Sequence, residues 1–341
     1  MATKRPLVGI SVGDPAGIGP EIAAKALALA QVYAICRPLA VSDLGVMDAA
    51  IRFSKLTLRT RAVASPAEGR YEHGTIDVLD MKNVDMAKLE YKKVAAMSGK
   101  ASYEYIEKVI RLALAREIDA TVTGPIHKEA IAAAGCKHPG HTEIYGALTG
   151  TKDYTMMLAD GAFRVVHVST HVSLRQAIER VKKPRVLKVI ELAYDALLKL
   201  GVEKPRIAVA GLNPHAGEAG MFGREEIEEI QPAIDEARSR GIGAEGPIPP
   251  DTVFAKMKGG QYDMVVCMYH DQGHIPTKLA GFSYDQKTNT WTAMSGVNVT
   301  LGLPIIRASV DHGVAFGKAG EGRANPESMI QAIQMAVRLA G

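Results

Sequence analysis

The sequence predicts an α/β protein with a mostly parallel sheet, and three observations support this fold class. Short apolar runs rich in β-branched residues alternate with longer stretches that carry apolar residues at helical spacing. The chain has 341 residues, which is enough for about two domains. Apolar residues make up 47% of the chain and charged residues 23%, so it can bury a large core.

The predicted elements follow one another in alternating order along the chain. Strands are expected at residues 7–12, 75–79, 120–123, 163–168, 206–210 and 264–268. Helices are expected at residues 20–30, 101–116, 186–200, 225–240 and 326–339. Pro20 suits the first turn of its helix, where its missing N–H costs nothing. Strands that alternate with helices favour parallel pairing through crossover connections.

No internal repeat or low-complexity linker marks a domain boundary. We therefore place the boundaries only approximately, with residues 1–135 and 300–341 in one domain and residues 136–299 in the other. Residues 283–296 are polar, lack a β-branched pattern and contain the single tryptophan, Trp291. This stretch is predicted to be an inserted loop.

Composition and charge argue against several classes of partner. Basic and acidic residues are mixed and leave a net charge of +4, without a basic block, and aromatic residues are only 5%. Nucleic-acid binding is therefore not expected. No apolar stretch reaches the ~18 residues of a membrane span, and no signal peptide is recognised. The scattered cysteines Cys36, Cys136 and Cys267 form no CxxC pair, so a reducing, cytoplasmic location is expected.

The first strand–helix junction, residues 13–21, has glycines where a phosphate-binding turn would have them. Its spacing is not G-x-G-x-x-G, and no Walker lysine follows. It does not match the dinucleotide fingerprint, and an ordinary tight turn remains an open interpretation.

Three histidines, His171, His215 and His270, each follow a predicted strand. Parallel α/β sheets place ligand sites at the carboxyl ends of their strands. Neutral imidazole suits zinc and similar divalent ions, and three protein ligands with one open position are typical of catalytic sites. The separations of 44 and 55 residues match no local metal motif. An isolated loop histidine usually serves in hydrogen bonding, so both interpretations stay open.

Possible anion-binding groups flank the polar stretch. Lys278 supplies a point charge and Arg307 a bidentate fork, with Asn298 between them in sequence. A single lysine or arginine is most often a solvated surface residue. The glycine-rich residues 311–326 have backbone donors that could hold a nucleotide phosphate or adenosine.

Taken together, these segments resemble the 4-hydroxythreonine-4-phosphate dehydrogenase family from residue 8 to about residue 333. The resemblance is carried by GDPAGIGPE (13–21), VTGPIHKEAI (122–131), HPGHTE (138–143), GLNPHAGEAGMFGREE (211–226), YDMVVCMYHDQGHIP (262–276) and VNVTLGLPIIRASVDHG (297–313). GIGPE and DHG…AGEGRANPESM are also similar to the isocitrate and isopropylmalate dehydrogenases. The resemblance implies their two-domain fold with an active-site cleft, and a cofactor bound without the Rossmann fingerprint.

The resemblance also implies roles for individual residues in a homodimer. His171, His215 and His270 would bind a divalent metal, with ligands drawn from both subunits, in a domain that also mediates dimerisation. The other domain would bind the cofactor. The substrate would contact His141, Thr142, Lys278, Asn298 and Arg307. The cofactor would face Gly317, Gly320 and Asn325. Lys278 and Asp271 are the candidate catalytic residues, although Asp271 could instead orient a metal ligand.

The implied reaction is a metal-dependent oxidation and decarboxylation of a 4-phosphorylated 3-hydroxy acid, linked to NAD or NADP. The metal could be zinc, magnesium, manganese or cobalt. Residues 283–296 lengthen a segment that is shorter in the biosynthetic members. This feature resembles the family's second branch, which is associated with D-threonate and D-erythronate 4-phosphates as well as with the vitamin B6 precursor, 4-hydroxy-L-threonine 4-phosphate.

Two other classes remain as alternatives. A phosphate acyltransferase has a related α/β cleft but needs neither nicotinamide nor a histidine triad. A non-catalytic metabolite-binding protein on the same scaffold would have no chemical need for all three histidines.

Overall fold

The structure is a computed structural model that describes residues 5–138, 140–286, 290–294 and 296–341. The chain divides into two compact units. Unit 1 consists of Met1–Lys152 and Leu303–Gly341, and unit 2 consists of Asp153–Gly302. Both units combine strands and helices, which confirms the predicted α/β class.

Unit 1 contains six parallel strands in the order β3-β4-β2-β1-β5-β14. They are β1 (Leu7–Ser11), β2 (Arg37–Ser42), β3 (Arg59–Val63), β4 (Thr75–Asp80), β5 (Ala120–Thr123) and β14 (Arg307–Val310). Every residue of β1 and β5 is buried. Such continuous burial is expected for central strands of a parallel sheet, because helices cover both faces.

Each helix of unit 1 buries apolar side chains. They are α1 (Gly19–Leu27), α2 (Ala30–Ile35), α3 (Leu44–Phe53), α4 (Ala96–Leu114), α5 (Lys128–Ala133), α6 (His141–Thr149) and α12 (Glu327–Ala340). In α4 the buried Tyr105, Ile106, Val109 and Ile110 recur at helical spacing. Gly99 allows α4 to approach α5 closely, because a Cβ there would lie 2.0 Å from the Ala130 oxygen.

Unit 2 contains a mixed group of strands in the order β13-β6-β7-β10-β8-β9. They are β6 (Thr155–Asp160), β7 (Phe163–His167), β8 (Ile207–Ala210), β9 (Ala244–Ile248), β10 (Met264–Cys267) and β13 (Val297–Leu301). β6 is antiparallel to both of its neighbours, and β7, β10, β8 and β9 are parallel. The carboxyl ends of β7, β10 and β8 therefore lie side by side at one edge.

The helices of unit 2 are α7 (Leu174–Arg180), α8 (Lys183–Lys199), α9 (Gln231–Ser239), α10 (Pro250–Lys258) and α11 (His270–Gly281). A capping box at Ser173 and Gln176 starts α7. The helix predicted at 225–240 is a π-helical turn, Glu226–Ile230, that continues into α9. None of the described helices combines the length and apolar character that crossing a membrane requires.

The inserted loop predicted at residues 283–296 is wrong in one respect, because it contains paired strands. β11 (Phe282–Asp285) and β12 (Thr290–Met294) form an antiparallel pair in which Phe282 faces Met294. Backbone hydrogen bonds make this pair, and they do not require an alternating apolar pattern. Residues 287–289 and 295 of the predicted loop lie outside the described residues.

Candidate active site

The edge of unit 2 where β7, β10 and β8 end carries the three predicted metal ligands. The ring centroids of His171 and His270 lie 5.7 Å apart. Both side chains line a cavity of about 610 Å³, together with Tyr269, Asp271 and Gln176. The adjacency of the parallel strands thus brings two histidines, 99 residues apart in sequence, to one cavity.

Asp271 sits directly beside one of these histidines. Its Oδ1 lies 2.6 Å from His270 Nδ1. With Nδ1–H donating to the carboxylate, His270 Nε2 carries the lone pair that a metal ion needs. The geometry therefore suits Asp271 for orienting His270, the second of the two predicted roles.

Two further histidines continue the row of rings from His270. The His274 ring stacks on His270 at a centroid distance of 3.6 Å, and His167 lies 4.8 Å from His274. Burial lowers the pKa of His167 to about 3 and that of His274 to about 4, so both rings are neutral at neutral pH. Gly273 leaves room for this row, since a Cβ there would lie 2.5 Å from His167 Nε2.

His215 follows β8 in an unusual turn. Residues 215–219 all have positive φ, with His215 at φ 53°. A non-glycine residue in this region costs roughly 1–2 kcal/mol, and such strain tends to occur at functional sites. The His215 ring lies 6.4 Å from Phe222. Within the described part of one chain, no group of three His, Cys, Asp or Glu residues is arranged to hold a metal.

Two buried residues that the sequence analysis did not single out hold the histidine-bearing loops. Glu226 accepts hydrogen bonds from the backbone N–H groups of Leu212 (2.8 Å) and Asn213 (2.7 Å), just before His215. Gln272 accepts from Met268 N (2.6 Å) and donates to Gly211 O (2.8 Å). Gln272 therefore ties the turn before His270 to the turn before His215. Glu226 lies in the GREE motif and Gln272 in HDQGH, but a motif alone does not show which loop a side chain supports.

The donor set fits a divalent ion in part. His171 and His270 supply two imidazoles, which suit zinc and similar ions, and the cavity leaves space for further ligands. A catalytic site of this type normally has a third protein ligand.

Unit 1 brings together two of the predicted substrate residues, His141 and Arg307. Arg307 is buried, lies 5.3 Å above the Tyr145 ring and donates to Thr123 Oγ1 at 3.4 Å. Burial lowers the pKa of Arg307 to about 10. Burial and then the charge of Arg307 hold the pKa of His141 well below its usual value. A buried cation beside a neutral imidazole is suited to an anionic ligand group.

The remaining predicted substrate residues are placed as follows. Thr142 follows His141 in the first turn of α6. Lys278 is exposed near the end of α11, with Nζ 5.6 Å from the Phe282 ring centroid. Asn298 lies on β13, and its buried Oδ1 has no hydrogen-bond partner among the described residues.

The predicted cofactor segment of unit 1 is anchored to α1. Lys25 Nζ donates to Gly322 O (2.9 Å) and Ala324 O (2.7 Å), and Glu21 Oε1 accepts from Ala324 N (2.6 Å). Within this segment, Gly320 has φ 75°.

The two other predicted cofactor residues of this segment have different surroundings. The Cα of Gly317 faces open space. Asn325 Oδ1 accepts from Glu327 N at the start of α12. Glu21, the last residue of the GIGPE motif, helps to hold this segment through the hydrogen bond that it accepts from Ala324 N.

Asp14, in the first strand–helix junction, is fully buried and accepts a hydrogen bond from Ala16 N at 2.8 Å. Burial raises the pKa of its carboxyl group from 3.8 to about 6, against weaker opposing effects of Ala16 and His127. Because the folded-state pKa is raised, the stability that the protonated group contributes is lost as the pH rises from about 4 through about 6. The free energy of unfolding is expected to fall by about 3 kcal/mol over this pH range.

We therefore expect Asp14→Asn to remove this pH dependence. Relative to the wild type, the variant should gain up to about 3 kcal/mol of stability between pH 4 and pH 8. Urea unfolding at both pH values measures the difference. Asp48→Asn, at a half-buried site on α3, serves as a control. A wild-type-like pH profile for Asp14→Asn would show that the carboxyl group has an ordinary pKa.

The sequence profile of the family described as pyridoxal phosphate biosynthetic protein PdxA matches residues 34–336. A 4-hydroxythreonine-4-phosphate dehydrogenase of Desulforapulum autotrophicum is 46% identical over 337 residues, covering 98% of this chain and 96% of the relative. A D-threonate 4-phosphate dehydrogenase of Cupriavidus necator is 43% identical over 341 residues, covering 100% and 99%.

A solved structure is also closely similar. The crystal structure of a 4-hydroxythreonine-4-phosphate dehydrogenase from Klebsiella pneumoniae matches with a TM-score of 0.87 and 41% identity, covering 100% of this chain and 99% of that one. Both the profile and these relatives span nearly the whole chain. The chain belongs to the family of the pyridoxal phosphate biosynthetic protein PdxA.

Proposed function

We propose that this protein is a nicotinamide-linked dehydrogenase that oxidises the secondary alcohol of a small phosphorylated hydroxy acid. The names of the relatives with 46% and 43% identity support this reaction class. The observation that carries the proposal is the pair of histidines, His171 and His270, at one cavity of a family member. The substrate is D-threonate 4-phosphate, D-erythronate 4-phosphate or 4-hydroxy-L-threonine 4-phosphate.

The residues proposed to hold a divalent metal are His171 and His270 of one chain and His215 of a second copy. A bound divalent ion would supply Lewis-acid chemistry at the hydroxyl group. The proximity of the first two rings supports their pairing within a chain. The absence of a three-residue metal group within the described part of one chain is consistent with a third ligand in trans.

Exposed apolar side chains near these histidines support a homodimer. Leu174 and Ile178 are 60% and 41% exposed on α7, the helix that follows His171, and Ile275 and Leu279 are 64% and 82% exposed on α11, the helix that begins at His270. Large apolar side chains concentrated on two helices mark an association surface. A second copy covering them would have its own residues close to the histidines.

The other predicted residues have separate proposed tasks. Arg307 and His141 bind an anionic group of the substrate, aided by Thr142. Asn298 offers a hydrogen-bond acceptor, its Oδ1, to a substrate hydroxyl. Asp271 holds the proton on His270 Nδ1 and so fixes the ring orientation. After oxidation, cleavage of the bond to the carboxyl group would release carbon dioxide and leave an electron pair on the adjacent carbon. Lys278 Nζ is the candidate donor of the proton to that carbon.

A substrate panel tests the proposal. Purified protein is assayed for NADH and NADPH formation with the three 4-phosphorylated acids, before and after metal removal that is verified by elemental analysis. We expect turnover of at least one acid, and loss of at least about a hundredfold after metal removal that is restored by zinc, manganese, cobalt or magnesium. Full activity of the metal-free protein would exclude a metal requirement. No turnover with any of the three acids would exclude 4-phosphorylated hydroxy acids of this kind as substrates.

A further inference from the structure

The carboxyl ends of β1 and β5 lie side by side in unit 1. The chain leaves β1 toward β2 on one side, whereas β5 lies on the other side of β1. In open α/β sheets, ligands bind where such connections diverge, beyond the carboxyl ends of the strands. The two connections are packed together here, since Asp14 N donates to Pro125 O at 2.9 Å and Gly124 N donates to Ser11 O at 2.7 Å.

An aromatic stack includes a residue of the connection after β5. The rings of His127, in the connection after β5, and Phe316 have centroids 4.8 Å apart and planes within 7°. Both residues are half-buried, so part of the stack faces solvent. Ala315, directly before Phe316, has φ 42°. An alanine in this left-handed conformation costs about 1–2 kcal/mol, which is the kind of strain that functional positions retain.

Open space and unpartnered polar atoms accompany the stack. A Cβ on Gly313 or Gly317 would meet nothing within 4 Å. Asp14 Oδ2 and His127 Nδ1 are buried without a hydrogen-bond partner among the described residues. Buried polar atoms that lack a partner within the protein are commonly satisfied by a ligand or by water.

We propose that the His127–Phe316 stack is the platform on which a planar ring of the nicotinamide dinucleotide packs. The class of ligand rests on the proposed function. Stacking on aromatic faces is a general mode of binding bases, and it does not need the G-x-G-x-x-G turn that this chain lacks. The hydroxyl or amide groups of the dinucleotide would lie beside His127, whose Nδ1 has no hydrogen-bond partner among the described residues.

The experiment is an NADH fluorescence titration of the substrate-free protein, which measures binding independently of turnover. Phe316→Leu and His127→Leu each remove one ring and are expected to raise the Kd for NADH at least about tenfold. Phe316→Tyr keeps the ring and should bind like the wild type. The matched control is Phe254→Leu, which disrupts the Phe163–Phe254 stack of unit 2 (6.5 Å) and should leave the Kd unchanged.

Competition with ADP-ribose and with nicotinamide mononucleotide identifies the ring. The fragment whose affinity falls in Phe316→Leu carries the ring that stacks. Unchanged NADH affinity in both leucine variants, with wild-type circular dichroism, would overturn the platform while leaving the dehydrogenase proposal intact. If Phe316→Leu does not fold, His127→Gln carries the same test. A wild-type protein that binds neither NADH nor NADPH would instead refute the proposed function.

Discussion

Mixing the two inactive variants His171→Ala and His215→Ala is expected to restore about a quarter of the wild-type activity. Each variant alone should lose at least about a hundredfold in kcat, because each lacks one of the three proposed metal ligands. If His215 acts in trans, one of the two sites in a mixed dimer receives three intact ligands. Random re-association makes about half of the dimers mixed, so about one site in four is intact.

The three possible pairs of variants show which histidine, if any, is supplied by the second copy of the chain. His215→Ala mixed with His270→Ala should also restore activity. His171→Ala mixed with His270→Ala should not, because the proposal takes those two ligands from the same chain. Restoration only in pairs that contain His270→Ala would show that His270 is the ligand in trans. No restoration in any pair, with mixed dimers verified by native mass spectrometry, would refute shared sites.

Replacement of Arg307 by lysine is expected to lower kcat/KM about a hundredfold. Lysine keeps the charge but loses the bidentate fork, and hydrogen bonds between charged groups contribute about 1.5–3 kcal/mol each. Burial lowers the pKa of Arg307 from 12.5 to about 10, which corresponds to about 3 kcal/mol against the charged form. The proposed anionic substrate group would offset this cost of burying the charge of Arg307.

Steady-state kinetics and NADH titration distinguish substrate binding by Arg307 from a merely structural role. We expect Arg307→Lys to raise KM for the phosphorylated acid, while the Kd for NADH and the melting temperature stay close to the wild type. Arg338→Lys, at an exposed position on α12, is the control and should be neutral. Unchanged kcat/KM in Arg307→Lys would remove Arg307 from the substrate site.

The strand–helix alternation and the positions of the histidines were readable from the sequence. The predicted strands at 7–12, 163–168 and 264–268 correspond to β1, β7 and β10, because buried parallel strands are short, continuous apolar runs. The sequence analysis did not predict strands that lack such a run, such as β11 and β12. No compositional signal marked the domain boundary that we predicted between residues 135 and 136. In the structure, unit 1 ends its first segment at Lys152 and unit 2 begins at Asp153.

The sequence by itself determined the α/β class, the family and the candidate residues, because periodicity and ordered motifs are local properties of the chain. Only the tertiary structure decided that β7, β10 and β8 are neighbours, since strand order depends on pairing between distant segments. That order brings His171 to His270 and lets Gln272 tie two loops together. Contacts between distant side chains depend on how the elements pack, and they cannot be read from the spacing of residues along the chain.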